Sequence, residues 1–367
     1  MYNIRMVDRE DNPIYPLPGQ HGRGAGFNPP NRFESLYYEP DPDDEEPPNP
    51  TLKTQYFRDT TQSFITYNDS PDVGFKAGIN PYRGCEHGCI YCFARPFHEY
   101  LGLSAGLDFE SKIFVKTDGP QILRRELSAK KWQPQTIALS GVTDPYQPIE
   151  KRLGLTRRCL EVLLEFRNPV GIITKNFLIA RDIDILSQMK DYYGCHVCVS
   201  VTTLQGDLAR IMEPRASQPA DRLAAIEKLS RAGVSVQVLV APVIPGLTDQ
   251  EMPMILRRAA EAGAAQAGYV LLRLPHAVSP LFQEWLSRHF PDRKEKILHR
   301  LREMRNGKLY DSAWGTRMRG QGTWAKEIED CFELYCRKFG FGLNQREVAL
   351  SAEHFRNPAE EKQYHLF

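Results

Sequence analysis

From Phe75 to about residue 275, short apolar runs alternate with amphipathic helical stretches, and that alternation limits the fold more than any other feature of the chain. The apolar runs at 76–80, 136–140, 170–174, 196–202, 235–243 and 268–274 read as strands, and 112–115 is a shorter run of the same kind. Between them, 153–166, 178–190, 220–232 and 250–262 carry apolar residues at i, i+3, i+4 spacing and read as helices. Gly233 stands where the third of these helices needs a C-terminal cap. Alternation of this kind argues for an α/β fold with a parallel sheet, as an open doubly wound sheet or as a partial barrel. In either arrangement functional residues belong at the carboxyl ends of the strands.

The flanks read differently. Residues 1–70 form a Pro/Gly-rich segment with the acidic run Asp41-Pro42-Asp43-Asp44-Glu45-Glu46 and no apolar period. Such composition is expected to be extended or disordered. Within it, Gly22-Arg23-Gly24-Ala25-Gly26-Phe27-Asn28-Pro29 could dock onto the body, although a linker is the plainer expectation. The core is expected over 71–275, a helical C-terminal extension over 276–345 and a tail over 346–367. Helical patterns at 281–289, 293–305 and 324–339 fill the extension, interrupted by a basic glycine-rich loop at 315–322. Arg317 and Arg319 in that loop suit a phosphate, or form a plain surface turn. Trp314 and Trp324 flank it, to stack on a base or to close the core.

The formal net charge of +1 excludes a global field drawing the chain to nucleic acid or to a membrane. No apolar run is long enough to span a bilayer, and the first residues lack the apolar stretch of a signal peptide. A cytoplasmic protein, with no membrane partner and monomeric, is the expectation. In a reducing compartment the eight cysteines are thiols, metal ligands or core residues.

Three of those cysteines fall within eight residues. Cys85, Cys89 and Cys92 follow the first strand at C-x3-C-x2-C spacing, with Gly84 and Gly88 relieving the backbone between them. Three thiolates on one loop can each hold one iron of a cubane cluster and leave the fourth iron open, as a catalytic cluster requires. A zinc site completed by His87 or by a distant cysteine is the competing reading. Zinc motifs usually pair two half-sites, and no second C-x2-C lies nearby. Cys159 reads as a core residue, and Cys198 shares strand parity with Ser200.

Other polar residues sit at strand ends. Thr143 and Asp144 follow the 136–140 strand, where Asp144 can accept a hydrogen bond from an ammonium group or simply start a turn before Pro145. Lys175 ends the 170–174 strand and can reach a ribose hydroxyl or a carboxylate. Ser200 lies near the end of the next strand. Arg215 can pair with a carboxylate or form a loop salt bridge.

The cysteine motif, with Tyr91 as the aromatic residue before its third cysteine, resembles the signature of the radical SAM superfamily. The run from Thr143 to Glu150 resembles the branch that includes spore photoproduct lyase. The resemblance spans roughly residues 75–275 and implies a partial (β/α)6 barrel, a [4Fe–4S] cluster on Cys85, Cys89 and Cys92, and S-adenosylmethionine (SAM) as second cofactor. It further implies reductive cleavage of SAM to a 5′-deoxyadenosyl radical, which takes hydrogen from a substrate. Tyr91, Thr143, Asp144, Lys175, Ser200 and Arg215 are then the candidate SAM contacts, and the loop 242–246 packs on adenine. The implied partners are an external electron donor of the flavodoxin or ferredoxin type and a possible nucleic-acid substrate. The lyase branch carries a cysteine just before its Ser-Asp pair, whereas this chain has Ser140-Gly141-Val142 there. The same repair reaction is therefore not implied. The alternative is a non-catalytic iron–sulfur or zinc protein with a binding role in nucleic-acid recognition or electron transfer.

Overall fold

A computed structural model describes residues 22–34, 52–341 and 350–358. The acidic run at 41–46 and most of the expected tail lie outside the described residues. Ten strands occur among those described: β1 (Gln55–Arg58), β2 (Thr66–Tyr67), β3 (Ala77–Ile79), β4 (Tyr82–Arg83), β5 (Lys112–Val115), β6 (Ile137–Leu139), β7 (Val170–Thr174), β8 (Cys195–Ser200), β9 (Ser235–Val243) and β10 (Gln266–Leu271).

β3, β6, β7, β8, β9 and β10 lie side by side in sequence order, each parallel to the next. β2 pairs antiparallel on the outer edge of β3. Six parallel strands in this order are what the incomplete (β/α)6 barrel implied by the resemblance requires. The helices expected from periodicity return the chain between strands, as Leu155–Glu165, Ile183–Met189, Pro219–Arg231 and Met252–Glu261. A further helix, Gly119–Leu127, precedes β6. Gly233 caps its helix with φ 78° and donates to the Ser230 carbonyl at 2.9 Å.

Period-two patterning separates the two faces of the sheet. Val170, Ile172, Val197, Val199, Val236, Val238 and Val240 are buried against the helices. Each such side chain contributes about 1.5–3 kcal/mol by leaving water. The opposite face is small and polar. In register across the strands it carries Gly78, Ala138, Gly171, His196 and Ser235 in one row, and Ile173, Cys198 and Gln237 in the next. A Cβ added at Gly171 would meet nothing within 4 Å. This face therefore lines an open lumen, and Ser200 belongs to its upper row beside Leu239 and Gly268. Cys198 donates to Gln237 Oε1 at 3.4 Å, which ties it to its neighbour on β9.

Two expectations need correction. The run 112–115 is a strand, but not one of the barrel. β5 pairs parallel with β1 and antiparallel with β4 in a separate three-stranded sheet. The linker reading of residues 22–29 also fails. This segment is docked, with Ala25 and Phe27 buried in the main core.

Candidate active site

The chain leaves β3, forms the two-residue β4, and enters the cysteine loop at Gly84. Gly84 and Gly88 both have positive φ, 76° and 66°, so glycine is what the turn requires. A Cβ on Gly88 would stand 2.7 Å from Glu110 Oε2. Cys85 and Cys89 are buried and Cys92 partly so. Burial pushes all three thiols above the ordinary range, Cys85 further because of Asp144 and Cys89 because of Glu213.

The loop is clamped from behind by Arg95, whose side chain is fully buried. Its guanidinium donates to the carbonyls of Cys89 (3.0 Å), Gly88 (3.1 Å), Ala105 (3.2 Å) and Gly106 (3.0 Å), and pairs with Glu110 Oε1 at 2.5 Å. Glu110 also accepts from the backbone N–H groups of Gly24 (3.0 Å) and Ala25 (2.9 Å). Arg23 donates to the Glu110 carbonyl at 2.6 Å. A Cβ on Gly24 would lie 1.9 Å from the Gly88 carbonyl oxygen, so only glycine allows this approach. These buried donors and acceptors are why residues 22–29 dock rather than float.

On the other side stands a second buried ion pair. Glu213 and Arg222 are in direct contact, both almost wholly buried. Glu213 also accepts from Tyr91 Oη and from Thr202 Oγ1, the latter at 2.8 Å. Lys175 Nζ lies 3.5 Å from Glu213, donates to the Ala241 carbonyl at 3.0 Å and sits 5.7 Å from the Tyr91 ring centroid. Burial and the neighbouring Arg222 push the Lys175 ammonium down to about 8, against the pull of Cys89 and Asp144.

Asp144 bridges the two sides. It accepts from Lys175 N–H (2.7 Å), Thr174 Oγ1 (2.8 Å) and Tyr146 N–H (2.9 Å), with His87 Nδ1 at 3.4 Å. Burial raises its pKa, but His87 and these donors outweigh burial and hold it below the usual carboxylate range. Thr143 is buried and gives its hydroxyl to the Tyr82 carbonyl at 3.0 Å.

Tyr91, Asp144 and Lys175 thus meet around the cysteine loop, and Ser200 is buried at the end of β8 with its carbonyl accepting from Arg222 at 3.2 Å. Arg215 is in contact with the loop. Its guanidinium lies 3.3 Å from Glu86 Oε1 and 3.1 Å from Thr54 Oγ1, which is the loop salt bridge. Arg23, Arg95, Glu110, Glu213 and Arg222 were not picked out from the sequence. For Arg23 the crowded glycines around it were the available signal. The others look like ordinary charges of loops and helices.

The donor set fits a cubane cluster. Among the described residues, no three His, Cys, Asp or Glu side chains converge as the ligands of one ion do. A cubane spreads its ligands over three irons and needs no such convergence. At Cys89 and Cys92 burial outweighs the pull of Lys175, Arg222 and Arg95, and bound iron would deprotonate a coordinating thiol.

Comparisons with known proteins agree with this arrangement. Residues 79–259 match the radical SAM superfamily. An uncharacterised protein of Mycobacterium tuberculosis is 37% identical over 232 residues, which is 63% of this chain and 67% of that one. A radical SAM Nα-GlyT isomerase of Pseudomonas phage M6 is 25% identical, over 71% of this chain and 55% of its own. A spore photoproduct lyase structure with bound AdoMet and dinucleoside spore photoproduct superposes with TM-score 0.54 at 17% identity, over 78% of this chain and 80% of that one. Among the described residues no helix is long and apolar enough to cross a membrane. The superfamily uses a [4Fe–4S] cluster and SAM, and these are the cofactors of this chain. The chain belongs to the radical SAM superfamily.

Proposed function

We propose that this protein is a radical SAM enzyme whose cluster is held by Cys85, Cys89 and Cys92. The observation that carries the reading is the buried cysteine loop, locked by Arg95 and Glu110 and faced by Tyr91, Lys175 and Asp144. When bound, the cluster and SAM supply a 5′-deoxyadenosyl radical that takes hydrogen from the substrate, with the electron coming from an external ferredoxin or flavodoxin. The protein's part is positioning and exclusion of water.

Asp144 has the charge to receive the SAM ammonium, and its three donors fix its orientation. Lys175, at the lumen edge, is placed to meet a carboxylate or ribose oxygen. Tyr91 is held by Glu213 and Thr202, so its ring is fixed against the loop. Ser200 adds a hydroxyl at the top of the lumen. Arg215, engaged by Glu86, supports the loop from outside in this reading.

Single-stranded nucleic acid is the substrate class we propose. The support is a run of exposed aromatic rings beside the cysteine loop: Phe33, Phe93, Phe97 and Tyr100. Phe33 and Tyr100 stand 4.9 Å apart, and Phe97 lies 6.4 Å from Tyr100. Bases stack on such rings with little regard to sequence. Likeness to a lyase bound to a dinucleoside points the same way.

The test is anaerobic reconstitution followed by dithionite and SAM. Formation of 5′-deoxyadenosine and methionine is expected. A fully loaded cluster that yields neither would remove the reading.

A further inference from the structure

Of the two arginines that the sequence offers for a phosphate, Arg317 is engaged by an ion pair and Arg319 lies on the outer side of the sheet. Arg317 pairs with Asp72, donates to Ser70 Oγ at 2.5 Å and lies 4.6 Å from the Trp314 ring centroid. Arg319 lies 4.0 Å from the Tyr269 ring centroid, on the outer side of β10. Another guanidinium stands at the mouth of the sheet. Arg273 follows β10 at the carboxyl edge of the barrel. Among the described residues it makes no hydrogen bond and no ion pair. Its guanidinium carbon sits 4.6 Å from the centroid of Phe93, the residue after Cys92.

Two further guanidiniums stand near Arg273. Arg317 and Arg305 lie within interaction distance, and Cys92, Asp72 and Tyr310 offer only weaker compensation. Arg305 is itself buried, gives its terminal nitrogens to the carbonyls of Leu272 (2.6 Å) and Arg317 (3.1 Å), and leaves its Nε without a partner. A partly buried guanidinium laid on an aromatic ring, with no acceptor among the described residues, is placed to take an anion. The same rim continues into the aromatic run. His276, three residues on, lies within interaction distance of Arg32 and Glu99, and Arg32 covers Phe33 at 5.1 Å. One edge therefore offers a phosphate seat next to stacking surfaces.

We propose that Arg273, laid on the face of Phe93, is the seat for a backbone phosphate of a single-stranded nucleic-acid substrate, beside the cysteine loop. The proposal rests on the substrate class given above and adds its anchoring residue. Arginine suits the position because its planar group stacks and hydrogen-bonds in the same geometry.

The test uses cluster-reconstituted full-length protein and fluorescently labelled oligothymidylate and oligouridylate, titrated by anisotropy at several salt concentrations. Arg273→Ala is expected to weaken binding about tenfold and to flatten the log–log salt dependence by about 0.7, one phosphate contact on a single strand. Arg273→Lys is expected to keep the slope while losing part of the affinity. Phe93→Ala is expected to weaken binding without changing the slope. Cluster absorbance and thermal midpoint certify each variant as folded. Binding by Arg273→Ala with unchanged affinity and slope would overturn the proposal. So would wild-type protein that ignores both oligonucleotides, or that prefers an acidic peptide in competition. Binding needs neither reductant nor SAM turnover, so its outcome is separate from the 5′-deoxyadenosine assay.

Discussion

The back of the cysteine loop and the rim in front of it are built on opposite rules. Behind the loop, every charge has partners. Arg95 makes five contacts to four carbonyls and one carboxylate, and Glu110 collects Arg95 and two backbone N–H groups. At the rim, Arg273 has an aromatic face and, among the described residues, no acceptor, and Phe93, Phe97 and Tyr100 remain exposed. Saturated polar networks rigidify a site, whereas unsatisfied groups await a ligand. The difference separates a surface that must hold a cofactor in one geometry from a surface that must accept a passing substrate.

The comparison breaks most completely at the loop itself. Replacing Cys85, Cys89 and Cys92 together by Ala is expected to reduce bound iron and sulfide to background and to abolish 5′-deoxyadenosine formation. Metal analysis and chromatography of quenched reactions read both. One equivalent of zinc in the wild-type protein with no iron would favour the binding-protein alternative.

Next in size is the buried clamp. Arg95→Met leaves the Glu110 carboxylate without its cation and is expected to cost about 3–5 kcal/mol in urea unfolding. Arg95→Met with Glu110→Gln should cost less than the sum of the singles, because the charge stranded by either single change is gone. Additive costs would show that the pair does not act as a unit. Gly24→Ala probes the same region sterically. Its Cβ meets the Gly88 carbonyl, and a loss of about 1–3 kcal/mol is expected.

His98 gives a pH-dependent effect. It lies in the 3-10 helix Arg95–Leu101 just after the loop, edge-on to Phe109 at 5.7 Å. Burial pushes its pKa down to about 4 from the ordinary 6.5. The unfolded chain therefore takes up a proton at a pH where the folded one does not. Stability attributable to this group is complete above 6.5, falls as pH drops through the window to about 4, and levels off below. The loss is about 3 kcal/mol. His98→Phe is expected to remove this limb from the stability–pH curve, measured by urea unfolding between those values. A curve with the same acid limb in the variant would assign it to other groups.

Lys175→Met should have the smallest effect on the scaffold and a specific one on the cofactor. It is expected to weaken SAM binding to the reconstituted protein about tenfold, with cluster content unchanged. Equilibrium dialysis with labelled SAM reads the affinity. Unchanged affinity would leave Lys175 as a support for Glu213 alone.

The parallel sheet was legible because its strands are buried on one face by branched apolar residues and interrupted by amphipathic helices, whereas its closure towards a barrel came only from the family resemblance. Val170–Thr174 and Ser235–Val243 are strands with the bounds expected for them. The 112–115 run misled because a short apolar strand looks the same in a barrel as in a small side sheet. Only its pairing with Gln55–Arg58 and Tyr82–Arg83 tells them apart. In the site, spacing singled out the cysteines, strand-end position singled out Asp144 and Lys175, and the family resemblance alone singled out Tyr91; the structure brings them close together. The clamp was not, since Gly24 and Glu110 lie 86 residues apart and nothing local pairs them. Arg317 shows the same limit from the other side. A glycine-flanked arginine reads as a free anion ligand, yet Asp72 from 245 residues earlier takes it.

The central claim is that three thiols of one clamped loop leave an iron open for SAM. Electron paramagnetic resonance of the dithionite-reduced, reconstituted protein with and without SAM tests it most directly. A reduced cluster signal whose g values shift on adding SAM is predicted. A cluster signal that is identical in the presence of saturating SAM would contradict the claim.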